Sequence, residues 1–128
     1  MTQTALQTQR ADYNQIALNS FFTIASNWKL SNAQARNLLG DPAEATFYNW
    51  KNGKIGKLSK DTLHRLSMIL GIHKGLRILF KNPINLYDWV NRENSDFGGE
   101  TPLQRMLHGQ LTDIHRVRQY IDHWRGGK

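Results

Sequence analysis

Apolar residues recur every three or four positions along nearly the whole chain, which commits it to short helices packed on one another. Ala17, Phe21, Ile24 and Trp28 mark one face of a helix over about 12–28. Leu63, Leu66, Ile69 and Leu70 mark another, capped by Ser59 and closed by Gly71. Leu76, Leu79 and Phe80 belong to a further helix that ends before Pro83. The last helix, over about 111–125, carries the stripe Leu111, Ile114, Val117, Ile121 and Trp124. Shorter helices are expected over 32–39, from Asp41-Pro42 to Lys51, over 84–91, and from Thr101-Pro102 to Gly109. In Asp41-Pro42 and Thr101-Pro102 the first residue caps and the proline takes the first helical position. Residues 53–58 read as a basic turn and 94–100 as a loop. No clear strand, repeat or low-complexity tract breaks the pattern, so the class is all-α. No linker rich in Pro, Gly or Ser separates the halves, which are expected to pack together.

A chain of 128 residues suits one domain, or two small ones sharing a core. It has no cysteine, which excludes a disulfide framework, a thiolate zinc site and a cysteine nucleophile. The first ten residues are polar, unlike a signal peptide, and no window approaches a membrane span. The expected location is the cytoplasm, with no membrane partner.

The net charge is +7, and it is unevenly placed. Residues 1–26 and 82–128 are each neutral. Residues 27–81 carry ten Lys and Arg against Asp41, Glu44 and Asp61, an excess of seven. That is the footprint of a polyanion-binding module beside a neutral module with another task.

Segment 30–53 is a short helix, a glycine-containing turn and a second helix. In a helix-turn-helix the second helix enters the major groove with its N-terminal residues toward the base edges. Here those residues are Ala43, Glu44, Thr46 and Asn49, with Gln34 on the first helix. Asn reads adenine, Thr contacts either edge or a thymine methyl, and Glu accepts from cytosine. Phe47 and Trp50 are spaced to face inward. The plainer alternative is a helical hairpin that only packs. Lys51, Lys54, Lys57 and Lys60 then repeat every third residue, a run suited to phosphate contacts, or simply a solvated face.

Five histidines raise a metal reading, but none stands in H-E-x-x-H or has a ligand four residues on; solvated or capping roles are the expectation. There is no Walker loop, G-x-G-x-x-G or nucleophile elbow, so neither an enzyme nor a cofactor is expected. Trp28, Trp50 and Trp89 are core candidates. Trp124 is different, lying beside Arg125 just before a glycine pair, and Trp and Arg dominate binding hot spots. Helix packing is the alternative for it.

Two sets of residues carry a family resemblance. Gln34-Ala35, Gly40 and Trp50 in the helix-turn-helix are similar to Xre/Cro-type repressors. Phe97-Gly98-Gly99-Glu100-Thr101-Pro102-Leu103, followed by Gly109, resembles the x-G-G-x-T-P-L signature in the C-terminal domain of Xre/MbcA/ParS antitoxins. The resemblance covers the chain from about residue 12 to the end. It implies a type II toxin–antitoxin system whose other member is a RES-domain toxin, a NAD-consuming enzyme. The antitoxin would obstruct the toxin's NAD pocket and repress its own operon at operator DNA, as a homodimer. The division implied is a flexible N-terminus over 1–11, a helix-turn-helix module over 12–81 and a toxin-binding or dimerisation module over 82–128. Gly98, Gly99, Thr101 and Pro102 are read as scaffold. The expected toxin contacts are Arg118, Tyr120, His123, Trp124, Arg125, Gly126 and Gly127. DNA contacts fall to Gln34, Ala43, Glu44, Thr46, Asn49, Lys51, Lys54 and Lys57. The alternatives are a stand-alone regulator with a C-terminal dimerisation or sensing domain and, more weakly, an RNA-binding or ribonuclease-like protein.

Overall fold

A computed structural model describes residues 3–126, with side chains from residue 9 except that of Ala11. Seven α-helices follow in order: α1 (Gln3–Asn27), α2 (Asn32–Leu38), α3 (Glu44–Lys51), α4 (Lys60–Leu79), α5 (Pro83–Val90), α6 (Pro102–Met106) and α7 (Leu111–Trp124). A single 3-10 turn, Ser95–Phe97, sits between α5 and α6, and no strand occurs among the described residues. The all-α expectation holds.

α1 begins at Gln3 rather than near residue 12. Residues 3–11 contain neither Gly nor Pro, and their Ala, Leu and Gln favour a helix, so nothing local stops it. α1 buries Leu18, Phe21 and Ile24, and Trp28 in the turn after it is buried with them. α3 lies on it through a chain of edge-to-face rings: Phe22 meets Phe47 at 5.6 Å and Phe47 meets Tyr48 at 5.5 Å. Phe47 and Trp50 are buried, as their spacing predicts.

The turn between α2 and α3 differs from its sequence reading. Asp41 does not cap α3; it takes a left-handed conformation (φ 55°), directly after Gly40. Its N–H donates to the Arg36 carbonyl at 2.9 Å and thus closes α2. Ala43 becomes the N-cap of α3, without a side-chain hydrogen bond, and Pro42 lies outside the helix. The Arg36 Nε donates to the Pro42 carbonyl at 2.8 Å and holds the turn.

The second correction concerns α4, which runs through Gly71 without a break. Both of its glycines serve close approach instead. A Cβ on Gly71 would fall 1.9 Å from Arg118 Nη1, and one on Gly75 would fall 2.6 Å from Ile121 Cγ2. α7 therefore crosses α4 where α4 has no side chains. It buries Ile114, Val117 and Ile121 there, against Leu66, Ile69, Ile72 and Leu76 of α4 and the rest of the core. Arg65, only 6% exposed, ties the crossing to α2. Its guanidinium donates to Asp61 at 2.8 Å and to the Gly109 carbonyl at 2.9 Å, with a longer bond to the Asn37 carbonyl. Asn37 in turn donates to the Leu107 carbonyl at 3.3 Å, and Asn91 to that of Trp28 at 3.1 Å. The two halves share one core.

The two helical glycines should respond differently to alanine. Alanine gains about 1 kcal/mol of helix propensity at either site. At Gly75 the new methyl meets the fully buried Ile121, and overpacking of that kind costs about 1–3 kcal/mol. Gly75→Ala should lower stability by about 1 kcal/mol in urea unfolding. At Gly71 the obstacle is the tip of a flexible arginine, which can swing aside, so Gly71→Ala should stay within about 1 kcal/mol of the parent.

Candidate functional site

Two surfaces gather the residues singled out in the sequence. The first is α3 with its flanks. Ser31 caps α2, accepting from the Gln34 N–H at 3.1 Å, while the Gln34 side-chain carbonyl accepts from the Ser31 N–H at 2.9 Å. Gln34 is thus half-buried and partly engaged in holding α2. Ala43, Glu44 and Asn49 are exposed, and Thr46 is half-buried. Lys51 donates to the Asn32 side chain at 2.8 Å, and Asn32 donates to the Tyr48 hydroxyl at 3.3 Å. Lys54, Lys57 and Lys60 are exposed on the turn and at the first residue of α4. Glu44 and Asn49 are therefore presented to solvent beside a row of lysines. Glu44 also sits in the first turn of α3, where a carboxylate favours the helix N-terminus.

The second surface is built on α5, the 95–106 segment and α7. Asn94 caps the 3-10 turn, its side chain accepting from the Asp96 N–H at 2.9 Å. Gly98 and Gly99 follow at φ 68° and 89°, and a Cβ on either would meet nothing within 4 Å. Their value is conformational: two successive left-handed residues bring Gly99 N–H back to the Asn94 carbonyl at 3.1 Å. Thr101 then caps α6 in a reciprocal pair with Gln104, and Pro102 occupies its first turn. Leu103 and Met106 enter the core. These bonds fix the backbone path of the motif.

That scaffold carries an aromatic cluster. Tyr120 of α7 stacks on Trp89 of α5 (6.1 Å, 23°) and lies 5.0 Å from the Phe97 ring. Trp124 packs edge-on against Phe80 at 5.9 Å and against Trp89 at 6.4 Å, yet remains 49% exposed. Arg116 lies over the Phe97 ring at 5.1 Å. The Tyr120 hydroxyl donates to Asp96 at 2.7 Å. This bond, to an acceptor that would repel a phenolate, holds the phenol above its usual pKa, and partial burial adds to it.

The expected contact residues divide accordingly. His123, Trp124, Arg125 and Gly126 are exposed at the end of α7, and Gly127 lies outside the described residues. Arg118 is half-buried, packed over Gly71 and paired with Asp122 at 3.2 Å. Tyr120 is also half-buried within the cluster. Trp89, Phe97, Asp96 and Arg116 join the surface without having been singled out as contacts. Only the stacking of three separate segments places them there, and sequence spacing carries no sign of it. Among the described residues no group of three His, Asp or Glu is placed to hold a metal ion. No helix among them is long and apolar enough to cross a membrane.

Residues 75–127 match the family described as the antitoxin Xre/MbcA/ParS C-terminal toxin-binding domain. This chain belongs to that antitoxin family. The matched segment begins at Gly75, inside α4, and contains the whole aromatic cluster. The chain is also 48% identical over 110 residues to the uncharacterized protein y4oB of Sinorhizobium fredii, covering 86% of this chain and 84% of that protein. No solved structure matches. Family membership supports a role as the antitoxin of a toxin–antitoxin pair, with a toxin as protein partner.

The Tyr120–Asp96 bond gives this antitoxin a spectroscopic signature. Tyr120 should titrate above 10 in an absorbance titration, and Asp96→Asn should bring it down. Because the folded phenol is harder to ionise than the unfolded one, its contribution to stability is present below pH 10 and lost as pH rises through the folded value. Tyr120→Phe should flatten that alkaline loss.

Proposed function

We propose that this antitoxin neutralises a RES-domain, NAD-consuming toxin by obstructing its active site, and that it represses its own operon through DNA binding. The observation that carries the first part is the surface at the end of α7. Trp124, half-exposed on an aromatic platform, and Arg125 and Gly126 beyond it lie within the segment that matches the toxin-binding domain. A rigid helix ending in exposed Trp and Arg, with Gly126 left-handed beyond it, suits insertion into a concave enzyme site. The RES class of the toxin follows from the family resemblance.

The second part is supported by α3 and its surroundings. Glu44 and Asn49 face solvent from one short helix, and Lys54 and Lys57 extend a cationic strip beside it. A homodimer would set two such helices against half-sites one helical turn apart. The family match begins at residue 75, inside α4, so in this reading that helix serves both halves.

Co-expression with the adjacent gene tests the first part. The neighbour should arrest growth alone, be harmless with this protein, and co-purify with it. Deleting residues 124–128 should abolish protection while leaving the helical circular-dichroism spectrum intact, because Trp124 lies outside the fully buried core. A harmless neighbour that fails to bind would leave a stand-alone regulator. For the second part, Lys54→Glu with Lys57→Glu should weaken binding to all duplexes and reduce the salt slope by about 2. Asn49→Ala should alter sequence preference more than overall affinity.

A further inference from the structure

The seven surplus positive charges do not form one patch. Lys51 ends α3, and Lys54, Lys57 and Lys60 lead into the N-terminal end of α4, whereas Lys74, Arg77 and Lys81 lie at and just beyond its C-terminal end. At 1.5 Å per residue, Lys60 and Arg77 are about 25 Å apart along the helix axis. A DNA-binding face on α3 has no use for the second group.

Arg77 and Lys81 of that second group border a cavity of about 650 Å³ between α1, α4 and α5. Its apolar lining comes from Ile24, Leu70, Phe80 and Leu86, and His73, Arg77 and Lys81 supply its basic groups. No carboxylate lines it. Neither Arg77 nor Lys81 has an acidic partner within ion-pair reach among the described residues. Thr23 and Asn27 of α1 add a hydroxyl and an amide to the opposite wall. Burial, and then the neighbouring Arg77 guanidinium, hold His73 below its usual pKa, so near pH 7 it is a neutral hydrogen-bonding group and not a third charge. A concavity of this size, whose lining mixes apolar side chains with a slightly larger polar share, suits a small molecule that is itself part apolar and part polar. Two unpaired cations at its border select the charge of that molecule.

We propose that this cavity binds a small amphipathic anion: an apolar body bearing a single carboxylate or phosphate. The apolar body covers Ile24, Leu70, Phe80 and Leu86, and the acidic group pairs with Arg77 and Lys81. A ligand seated there touches α1, outside the matched toxin-binding domain, and α5, inside it. The site adjoins the aromatic surface through Phe80, whose ring also packs against Trp124, and it lies away from the lysines beside α3.

The test is a titration of the full chain, followed by amide NMR shifts, with sodium octanoate, octyl phosphate and 1-octanol. At least one of the two anions should give saturable shifts centred on Thr23, His73, Arg77 and Phe80. Comparing the two tells carboxylate from phosphate as the preferred group. Octanol should bind at least about tenfold more weakly, as the loss of a charge-assisted hydrogen bond implies. Arg77→Gln with Lys81→Gln should erase the preference for the anion, and Lys54→Gln with Lys57→Gln should leave it. Thr23→Phe, made at an exposed position of α1, should fill the cavity and abolish binding; if that variant unfolds, the Arg77/Lys81 pair still decides. Equal binding of octanol and the anions overturns the proposal. So do shifts centred on Lys54 and Lys57 or on Trp89 and Trp124, and so does the absence of any saturable shift.

Discussion

The crossing of α7 over α4 is the contact on which the rest of the molecule depends. It is possible because Gly71 and Gly75 leave a bare strip on α4, into which Arg118 and Ile121 settle. Close approach buries Ile114, Val117 and Ile121 completely and places the turn before α7 beside Arg65. Burying a side chain of that size stabilises by roughly 1.5–3 kcal/mol, so three in one helix matter greatly against the few kcal/mol that hold a small domain folded. Arg65 then satisfies backbone carbonyls from both halves of the chain at once. The helix that carries the proposed toxin-binding surface is thereby fixed to the helix that also supports α2 and α3.

This arrangement separates shape from contact within the family's C-terminal domain. Gly98, Gly99, Thr101 and Pro102 set the path of the backbone. Their effect is to place Phe97 under Tyr120 and to bring Asp96 to its hydroxyl. Trp89 completes the stack from α5, and Trp124 lies across its end. A rigid aromatic platform of this kind loses little side-chain freedom on binding, because the rings are already held by one another. The charged end of the molecule works differently. The lysines beside α3 are solvated and long, suited to a polyanion whose position along the surface is not sharply fixed.

Much of this was legible in the sequence. The α7 stripe, the inward pair Phe47 and Trp50, and the Thr101-Pro102 start of α6 follow from spacing and capping chemistry, which are local. What failed was tertiary. Gly71 reads as a stop because glycine usually ends helices; that it lies under Arg118 depends on a helix forty-seven positions away. Asp41-Pro42 reads as a cap and first turn, but closing α2 takes Asp41 into a left-handed conformation and moves the start of α3 to Glu44. That Arg118 and Tyr120 are half-buried against the protein itself is likewise set by packing and has no sign in local spacing. The positive charge between residues 27 and 81 is one block in sequence and two clusters in space, since α4 carries its ends far apart.

The central claim is that toxin and DNA are engaged by different faces of one body, the toxin at the aromatic end of α7. Hydrogen–deuterium exchange of the chain, free and bound to the product of the adjacent gene, tests it most directly. The account predicts slowed exchange in residues 95–106 and in the last turns of α7, with α3 and the 53–58 turn unchanged. Protection centred on α3, with the end of α7 exchanging as freely as in the unbound chain, would contradict it.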